Sequence, residues 1–402
     1  MEGHRLIHQL MLRNFLSYGS DGVTIDLHPL NVLIGPNASG KSNLIEAIGV
    51  LSAAPKDLAT HFRERGGVQD YVRRGEKPSA VASIEVLVDF SQHFTGAPLR
   101  HHIEFFALAH GPRVMNEAIR YAIPSVTGPD TSPDVVYAQF PDGPIISAYV
   151  AAGGGPERVF LTAEGLKPDQ SILSQRRDPR VYPEVTHLAE QFEQITIYQD
   201  WTLGRRNQAR STQGTDLPSD FLLPDASNLA LVLNELMQRS ATRDKLLTYL
   251  QRFYEAAQFI STKIAAGRVQ LFIEESAGGL IPATRLSDGT LRYLSLLAIL
   301  CHPTPPPLIC IDEPELGLHP DVVPTIAELL KEASERTQMV VTTHSDALIS
   351  ALSDVPESVI VCQSGSDGTT LRRLDRDALA AWLEKYALGD LWRMGEIGGN
   401  RW

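Results

Sequence analysis

The segment Gly35–Ser42 has residue types and a spacing that suit phosphate binding. It reads GPNASGKS and fits the pattern G-x-x-x-x-G-K-[S/T] without a gap. Glycines let the backbone curl until successive N–H groups point at phosphate oxygens. The pattern predicts that Lys41 reaches the β- and γ-phosphates and that the Ser42 hydroxyl ligates Mg²⁺. The predicted nucleotide-binding residues of this phosphate loop are Gly35, Pro36, Asn37, Ala38, Ser39, Gly40, Lys41, Ser42 and Asn43.

Two consecutive acids, Asp312 and Glu313, end an apolar stretch that begins at Pro307. A strand would place Asp312 at its carboxyl end, where this carboxylate can hold Mg²⁺ through water. Glu313 could then orient and deprotonate an attacking water. The alternative is a buried strand that runs into an acidic turn, and the phosphate loop in the same chain favours the catalytic interpretation.

Two other segments carry candidate contacts to a terminal phosphate. Ser287 precedes an apolar helical stretch and suits a helix N-cap, where its hydroxyl and nearby N–H groups could bind a γ-phosphate presented by another molecule. His344 ends the apolar segment 340–343, so it could reach the γ-phosphate from the same sheet. The structural alternatives are a simple cap for Ser287 and a core histidine for His344.

The elements that position these residues follow from the apolar pattern. Segment 31–34 predicts a strand before the phosphate loop, and 42–48 predicts a helix after it. Apolar residues at helical spacing predict helices over 228–238, 243–259 and 377–392, and 269–273 predicts a strand. We expect five parts: an N-terminal ATPase lobe (1–110), an inserted strand-rich region (111–194), a helical subdomain (195–275), a C-terminal ATPase lobe (276–375) and a terminal helix and tail (376–402).

Composition restricts the partners. The chain has 402 residues and a formal net charge of −12, so contact with DNA would need a local basic patch. Three arginine clusters are candidates or, alternatively, solvated loops: Arg63, Arg65, Arg73 and Arg74; Arg176, Arg177 and Arg180; and Arg205, Arg206 and Arg210. The longest strongly apolar run, 293–300, is too short to cross a bilayer, and the three cysteines lack metal-site spacing. These features predict a reduced cytoplasmic protein without a membrane partner.

The motifs together resemble the ABC-type ATPases of the SMC/RecF-like class. The resemblance rests on the phosphate loop, the signature segment Leu286–Thr290, Ile311–Pro314 and Thr343–Ser345, in that order. Within the class, the chain resembles standalone prokaryotic ATPases related to the ATPase domain of overcoming-lysogenization-defect proteins. The further segments that carry this resemblance are Arg13-Asn14-Phe15 with Ser17, the D-loop at 315–320, and the tail at 389–399.

This resemblance implies a fold and a mechanism. The fold would be α/β, a P-loop NTPase of the ABC/SMC head type with a mixed sheet core. Two heads would pack head to tail around two ATP molecules with Mg²⁺, and ATP and water would become ADP and phosphate. Each site would combine one set of residues from one copy with the signature segment of the other. The first set is Arg13, Asn14, Lys41, Ser42, Asp312, Glu313 and His344, and the second is Ser287, Asp288 and Gly289.

The sequence also departs from the class. The signature segment places Asp288 where transporters have glycine, and this carboxylate would need to cap the helix or pair with an arginine. The Q-loop glutamine, which completes Mg²⁺ coordination, is not assigned, although Gln69 and Gln139 are considered. Neither a long coiled coil nor a nuclease motif after residue 345 is recognisable. We therefore expect a separate effector protein, such as a nuclease or toxin.

Two functions from different classes stay open. The first is an ATP-switched dimeric ATPase that acts in DNA repair or antiviral defence, with DNA as a candidate partner. The second is a nucleotide-gated scaffold that releases a protein partner without binding DNA, suggested by Trp382, Tyr386, Trp392 and Trp402. Simple packing of these aromatic residues on the core is the alternative. A transporter subunit or a small-molecule kinase fits the motif set less well.

Overall fold

The computed structural model describes residues 3–73, 81–90, 97–108, 111–122, 135–139, 143–149, 157–162, 165–199, 201, 204 and 207–399. The strands are β1 (Ile7–Arg13), β2 (Val23–Asp26), β3 (Leu30–Ile34), β4 (Val81–Val88), β5 (Leu99–Leu108), β6 (Gly111–Tyr121), β7 (Val135–Ala138), β8 (Ile145–Ala148), β9 (Glu157–Phe160), β10 (Thr196–Tyr198), β11 (Gln213–Gly214), β12 (Ala257–Ala265), β13 (Arg268–Glu275), β14 (Leu280–Pro282), β15 (Leu308–Asp312), β16 (Gln338–Thr342), β17 (Val359–Gly365) and β18 (Gly368–Arg373).

The α-helices are α1 (Lys41–Ala53), α2 (Leu58–Glu64), α3 (Val68–Tyr71), α4 (Ile172–Gln175), α5 (Pro183–Glu193), α6 (Leu229–Gln238), α7 (Ser240–Phe253), α8 (Asp288–Leu300), α9 (Val323–Ser334), α10 (Asp346–Ser350), α11 (Arg376–Leu383) and α12 (Leu388–Met394). None of the helices in the described ranges has the length and apolar character that crossing a bilayer requires.

A six-stranded sheet carries the candidate site. Its order is β10-β15-β16-β3-β17-β18, and every neighbouring pair is parallel except β17 with β18. The strand segments 30–34 and 338–342 are completely buried, as expected for a parallel sheet covered on both faces. Because parallel strands end at the same edge, the residues that follow β3, β15 and β16 meet there.

Alternate residues of this sheet enter two different cores. Val32, Ile311 and Val341 pack on one side with the apolar residues of α6, α8 and α9. Leu33 and Cys310 pack on the other side with α1, α5 and strands β1, β4 and β5. The period-two alternation of the strands therefore places the phosphate-loop helix and the signature helix on opposite faces of one sheet.

An eight-stranded antiparallel sheet covers the α1 side, in the order β2-β1-β4-β5-β6-β7-β8-β9. Strands β6 to β9 lie in the stretch 111–194 and continue the sheet begun by the N-terminal strands. Their apolar residues, such as Ile119 and Ile146, share a core with Leu12. The domain boundaries drawn from the sequence remain predictions.

Two helix predictions are wrong in extent. The helix predicted over 243–259 ends at Phe253, because the chain from Ala257 onward pairs with β13 in a small antiparallel sheet of β11, β12, β13 and β14. The helix predicted over 377–392 is two helices, α11 and α12. Helix α12 begins at Leu388, where two hydrogen bonds cap its first turn. Ser353 Oγ accepts from the Leu388 N–H at 2.8 Å, and the Asp390 carboxylate accepts from the Ala387 N–H.

Candidate functional site

The phosphate loop connects β3 to α1 at the carboxyl edge of the parallel sheet, as predicted. Gly35 and Gly40 have φ angles of 151° and 95°, and Ala38 has a φ of 61°. A Cβ atom on Gly35 would lie 2.3 Å from the Cys362 carbonyl oxygen, so a side chain at this position would collide with backbone. Glycine at position 35 is therefore required both by conformation and by the close approach of β17.

The side chain of Lys41 folds back onto the phosphate loop. Its Nζ donates hydrogen bonds to the carbonyl oxygens of Gly35 and Pro36, both at 2.9 Å, and the residue is only 5% exposed. Burial lowers the pKa of Lys41, while the nearby carboxylates of Glu313 and Asp312 act in the opposite direction. The ammonium group is thus held at the loop, within the electrostatic reach of both acids.

Residues of the turn after β1 form hydrogen bonds with the phosphate loop and with the first turn of α1. The buried Tyr18 hydroxyl donates to the Gly40 carbonyl at 2.9 Å, and Ser17 Oγ accepts from Asn43 Nδ2 at 2.7 Å. Ser17 Oγ also accepts from the Thr369 hydroxyl at 2.7 Å. Asn43 is therefore a brace in this structure, and its contact with nucleotide stays a prediction.

Arg13 and Asn14 begin this turn. Arg13 is exposed at the end of β1, and a Cβ built on Gly22 would lie 3.5 Å from Arg13 Nε. Asn14 has a φ of 51°, and its N–H donates to the Gly19 carbonyl at 3.0 Å. These contacts show how the turn closes, and the nucleotide-binding roles of both residues remain predictions.

Asp312 ends β15 beside the start of α1. The Ser42 hydroxyl donates to Asp312 Oδ1 at 3.5 Å, and the Thr342 hydroxyl donates to the same oxygen. Carboxylate and hydroxyl oxygens are ligands that Mg²⁺ accepts, usually together with water and phosphate oxygens. The residues brought together here therefore fit the predicted metal ligands Ser42 and Asp312.

Glu313 turns out of the sheet with a φ of 46°, which is rare for a residue other than glycine. Its N–H donates to the carbonyl and hydroxyl oxygens of Thr342 at 3.1 and 3.2 Å, and its carbonyl accepts from Arg292 at 2.8 Å. These bonds fix both sides of the turn. The side chain, which is 34% exposed, lies at the sheet edge beside His344.

His344 lies next to Glu313, with 3.4 Å between His344 Nε2 and Glu313 Oε1. Burial and the Lys41 ammonium lower the pKa of His344, against the opposing effect of Glu313 and Asp312. This shift favours the neutral imidazole, which can donate one hydrogen bond without carrying a charge. The structure brings Lys41, Asp312, Glu313 and His344 together at one edge.

Glu315 positions the histidine segment, a role that the sequence did not reveal. Its Oε1 accepts hydrogen bonds from the Thr343 hydroxyl and, at 3.2 Å, from the His344 N–H. Its Oε2 is buried without a hydrogen-bond partner among the described residues, and burial raises the pKa of Glu315. The only sequence signal is a third acid soon after Asp312, and it does not identify the groups it contacts.

The signature segment begins helix α8. Ser287 is the N-cap, and its Oγ accepts from the Thr290 N–H at 3.0 Å. Asp288 pairs with Arg210. The sequence left two alternatives for this carboxylate, a helix cap or an arginine partner, and the structure has the arginine partner. Arg210 also donates to the Leu286 carbonyl. The prediction of an arginine partner is thus confirmed, although the sequence could not say which arginine.

A groove of about 590 Å³ runs along the signature segment. The residues that line it within the described ranges are Arg210, Ser211, Thr284, Leu286, Ser287 and Asp288. None of them belongs to the phosphate loop, to the acidic end of β15 or to the His344 segment. Ser287 therefore lines a groove that contains none of the four cluster residues Lys41, Asp312, Glu313 and His344.

A third glutamine, Gln199, directly follows strand β10, which pairs in parallel with β15 and has Tyr198 opposite Ile311. The Gln199 Oε1 accepts a hydrogen bond from Arg65 at 3.3 Å. Gln69 is exposed on α3, and Gln139 follows β7 in the antiparallel sheet. A glutamine directly after an apolar strand was the available signal, but the pairing of that strand with β15 is visible only in the fold.

A larger groove, of about 820 Å³, lies beside α1 and the outer edge of β10. Its walls include Lys56, His61 and the segments 193–197 and 218–224. The residues that line it do not include Lys41, Asp312, Glu313 or His344.

Several arginines of the basic clusters have structural partners. Arg65 pairs with Glu46, Arg177 with Glu193, and Arg73 donates to the Asp367 carbonyl. Arg74, Arg205 and Arg206 lie outside the described residues. Among the C-terminal aromatic residues, Trp392 is partly buried against the core, whereas Trp382 and Tyr386 are 43% and 41% exposed. Trp402 also lies outside the described residues.

Comparison with known proteins supports the class suggested by this geometry. The family model described as "AAA domain, putative AbiEii toxin, Type IV TA system" matches residues 30–100 and 156–350. The DNA replication and repair protein RecF of Moorella thermoacetica is 39% identical over 95 residues, which are 22% of this chain and 24% of that protein. The RecF of Lactococcus lactis subsp. cremoris (strain MG1363) is 35% identical over 85 residues, 20% of this chain and 23% of that protein. The chain thus aligns with about a quarter of the length of these relatives.

Solved structures with a similar fold are SMC head domains. An SMC head bound to the C-winged helix domain of ScpA has a TM-score of 0.57 at 14% identity, covering 94% of this chain and 100% of that chain. A Pyrococcus furiosus SMC head with an extended coiled coil, bound to the C-terminal domain of ScpA, has a TM-score of 0.53 at 13% identity, covering 94% and 99%. At this identity the likeness establishes the fold, which agrees with the predicted P-loop head architecture.

Proposed function

The chain belongs to the AAA-domain family whose model it matches, and from that membership we propose that it hydrolyses ATP and closes on ATP as a head-to-tail homodimer. It is an ATPase of the SMC/RecF-like class. The observation that carries the proposal is the convergence of Lys41, Asp312, Glu313 and His344 at one sheet edge, with Ser287 on a separate groove.

Each residue of the cluster has a distinct proposed role. Lys41 and the loop N–H groups bind the phosphates, and Glu313 accepts a proton from the attacking water. His344, neutral and 3.4 Å from Glu313, donates a hydrogen bond to the γ-phosphate. Ser42 and Asp312 hold Mg²⁺, which when bound neutralises charge on the phosphate oxygens. Gln199, which follows β10, is a further candidate ligand, and its Oε1 would have to leave the hydrogen bond from Arg65 to reach the metal.

The two-copy site follows from the position of Ser287. The groove along the signature segment shares no residue with the phosphate-loop cluster among the described residues, which supports a site that Ser287 completes from a second copy. The D-loop supports an interface nearby. Leu316 is 57% exposed although it is apolar, and a Cβ on Gly289 would lie 3.1 Å from the Gly317 carbonyl. The signature segment and the D-loop therefore form one continuous surface.

The proposed biological setting is DNA-related work, such as repair, or phage defence together with a separate effector. The printed names of the relatives support these directions, since the RecF proteins are replication and repair proteins and the family description mentions a toxin. The SMC heads with this fold are bound to domains of ScpA, which makes a protein partner a natural expectation. A separate nuclease or toxin would supply the effector activity.

The decisive experiment measures the mass in solution of Glu313→Gln with and without ATP and Mg²⁺, followed by addition of duplex DNA. We expect a monomer without ATP and a dimer with it, because the substitution slows hydrolysis but keeps the binding contacts. The matched control adds Lys41→Ala, which removes the phosphate contact and should abolish the ATP-dependent dimer. A Glu313→Gln protein that turns over ATP at the wild-type rate would refute the catalytic assignment.

A second function, a nucleotide-gated protein scaffold, is favoured by one observation on α11. This helix has no buried residue and carries Trp382, and Tyr386 follows three residues after its end, with the two ring centroids 6.2 Å apart. Exposed aromatic pairs of this kind often bind proteins. DNA affinity that weakens steeply with salt supports the DNA-related function. A lack of DNA binding at low salt with ATP present supports the scaffold instead.

A further inference from the structure

We propose that Arg210 is the positioning residue of the signature segment, because it orders the segment and cancels the charge of Asp288. The inference rests on the proposed function, in which this segment of one copy meets the γ-phosphate held by the other. A carboxylate at that place is a problem in itself, since it would repel the phosphate. The side chain of Asp288 is 69% exposed, so it does not avoid the encounter by burial.

Arg210 reaches the segment from a distant part of the chain. It ends the 3₁₀ turn Gln208–Arg210, which is capped by Asn207 through a hydrogen bond from the Ala209 N–H at 2.7 Å. The arginine is 8% exposed, and its guanidinium group donates to both the Leu286 carbonyl and the Asp288 carboxylate. A buried arginine with two fixed acceptors in one loop restricts the loop more strongly than a solvated one.

These two contacts lie on either side of Ser287. Holding the Leu286 carbonyl keeps the backbone of Ser287 extended, with φ −69° and ψ 161°, where its Oγ can cap α8. The Ser287 Oγ accepts the Thr290 N–H and lies 2.8 Å from the Thr290 hydroxyl. The Ser287 hydroxyl therefore sits at the positive end of a helix of 13 residues and can donate to an incoming phosphate oxygen.

The charge of the pair predicts opposite effects for its two members. Without Arg210, the Asp288 carboxylate is uncompensated and repels the phosphate of the other copy. Without the Asp288 charge, the Arg210 guanidinium is uncompensated and attracts it. Each change should shift the monomer–dimer dissociation constant in ATP about tenfold, and the two shifts should be in opposite directions, because the charges lie close to the proposed contact. A pair that only supported the fold would weaken dimerisation when either member was changed.

The test measures the monomer–dimer dissociation constant by sedimentation of Glu313→Gln protein in ATP and Mg²⁺. Arg210→Ala should weaken the dimer about tenfold, and Asp288→Asn should tighten it. The double variant Arg210→Ala/Asp288→Asn should be tighter than Arg210→Ala, because the uncompensated carboxylate is gone. Arg336→Ala is the matched control: Arg336 donates to the Leu300 carbonyl at the other end of α8, so its loss should leave the constant unchanged.

The outcomes separate the inference from the proposed function. If the parent Glu313→Gln protein does not dimerise with ATP, the proposed function is wrong. If the parent dimerises but Asp288→Asn weakens the dimer, or the double variant is no tighter than Arg210→Ala, the inference alone is wrong. The Asp288→Asn arm keeps Arg210 in place, so it gives an answer even if Arg210→Ala does not fold.

Discussion

Thr342→Val removes a hydroxyl group that contacts both acids at the end of β15. The Thr342 hydroxyl donates to Asp312 Oδ1 and accepts from the Glu313 N–H at 3.2 Å. Thr342 is completely buried, so valine fills the same space without a replacement partner. The Glu313 N–H keeps its bond to the Thr342 carbonyl at 3.1 Å, which leaves the bond to the charged carboxylate as the main loss.

The size of the effect follows from that one bond. A hydrogen bond to a charged group contributes about 1.5–3 kcal/mol, so we expect the free energy of unfolding to fall by about 2 kcal/mol. Asp312 also loses a group that orients it toward Ser42. The Mg²⁺ concentration for half-maximal ATPase activity should therefore rise about tenfold, the equivalent of about 1.4 kcal/mol.

The assay pairs urea unfolding with a Mg²⁺ titration of ATPase activity. Thr337→Val is the matched control, because this buried threonine donates to the neutral Pro306 carbonyl at the opposite end of β16. It should lose about 1 kcal/mol of unfolding free energy and keep the wild-type Mg²⁺ dependence. If Thr342→Val shows the wild-type Mg²⁺ dependence, the assignment of Asp312 as a metal ligand oriented by Thr342 is refuted.

Two further substitutions test the hydrogen bond from Tyr18 to the phosphate loop and the titration of His61, which lies beside Gly49 of α1. Tyr18→Phe removes the bond to the Gly40 carbonyl and should cost about 1 kcal/mol of unfolding free energy and weaken binding of a fluorescent ATP analogue several-fold. Tyr198→Phe, also buried, should cost stability without weakening binding, and equal binding losses in both would contradict the brace. Burial and Arg65 lower the pKa of His61 to about 4, against about 6.5 in the unfolded chain, so the unfolded state binds more protons between these values and stability rises with pH. His61→Gln should reduce the gain in unfolding free energy between pH 5 and 7.5 by about 2 kcal/mol, and an unchanged gain would show that His61 does not titrate in this way.

The parts of the site that the sequence predicted are each recognisable from a short continuous segment of the chain. The phosphate loop is one such segment, since the spacing of Gly35, Gly40 and Lys41 itself encodes the curled backbone. Asp312 and His344 are single residues, but each ends an apolar run, and parallel strands share a carboxyl edge. The apolar pattern of each strand and the shared carboxyl edge of parallel strands were therefore enough to predict that Asp312 and His344 lie close together.

Contacts set by long-range register could not be read in the same way. Tyr198, the residue before Gln199, lies opposite Ile311 because β10 pairs with β15 in one particular alignment. Arg210 meets Asp288 across 78 residues of sequence. The helix predicted through residue 259 failed for the same kind of reason, since pairing of 257–265 with β13 overrides a helical pattern.

Arg292 connects the signature helix α8 with the turn at Glu313. Arg292 lies on α8, five residues after Ser287, and donates to the Glu313 carbonyl at 2.8 Å. Its guanidinium group also lies 5.4 Å from the ring centre of Trp201, two residues beyond Gln199. Rotation of α8 would therefore change a hydrogen bond to the backbone of Glu313 as well as the packing beside β10. The Glu313 carbonyl also accepts a hydrogen bond from the Leu316 N–H at 3.1 Å, so Arg292 is one of two donors that hold this turn. Arg292 therefore links the signature helix to the backbone of the acid proposed to activate water.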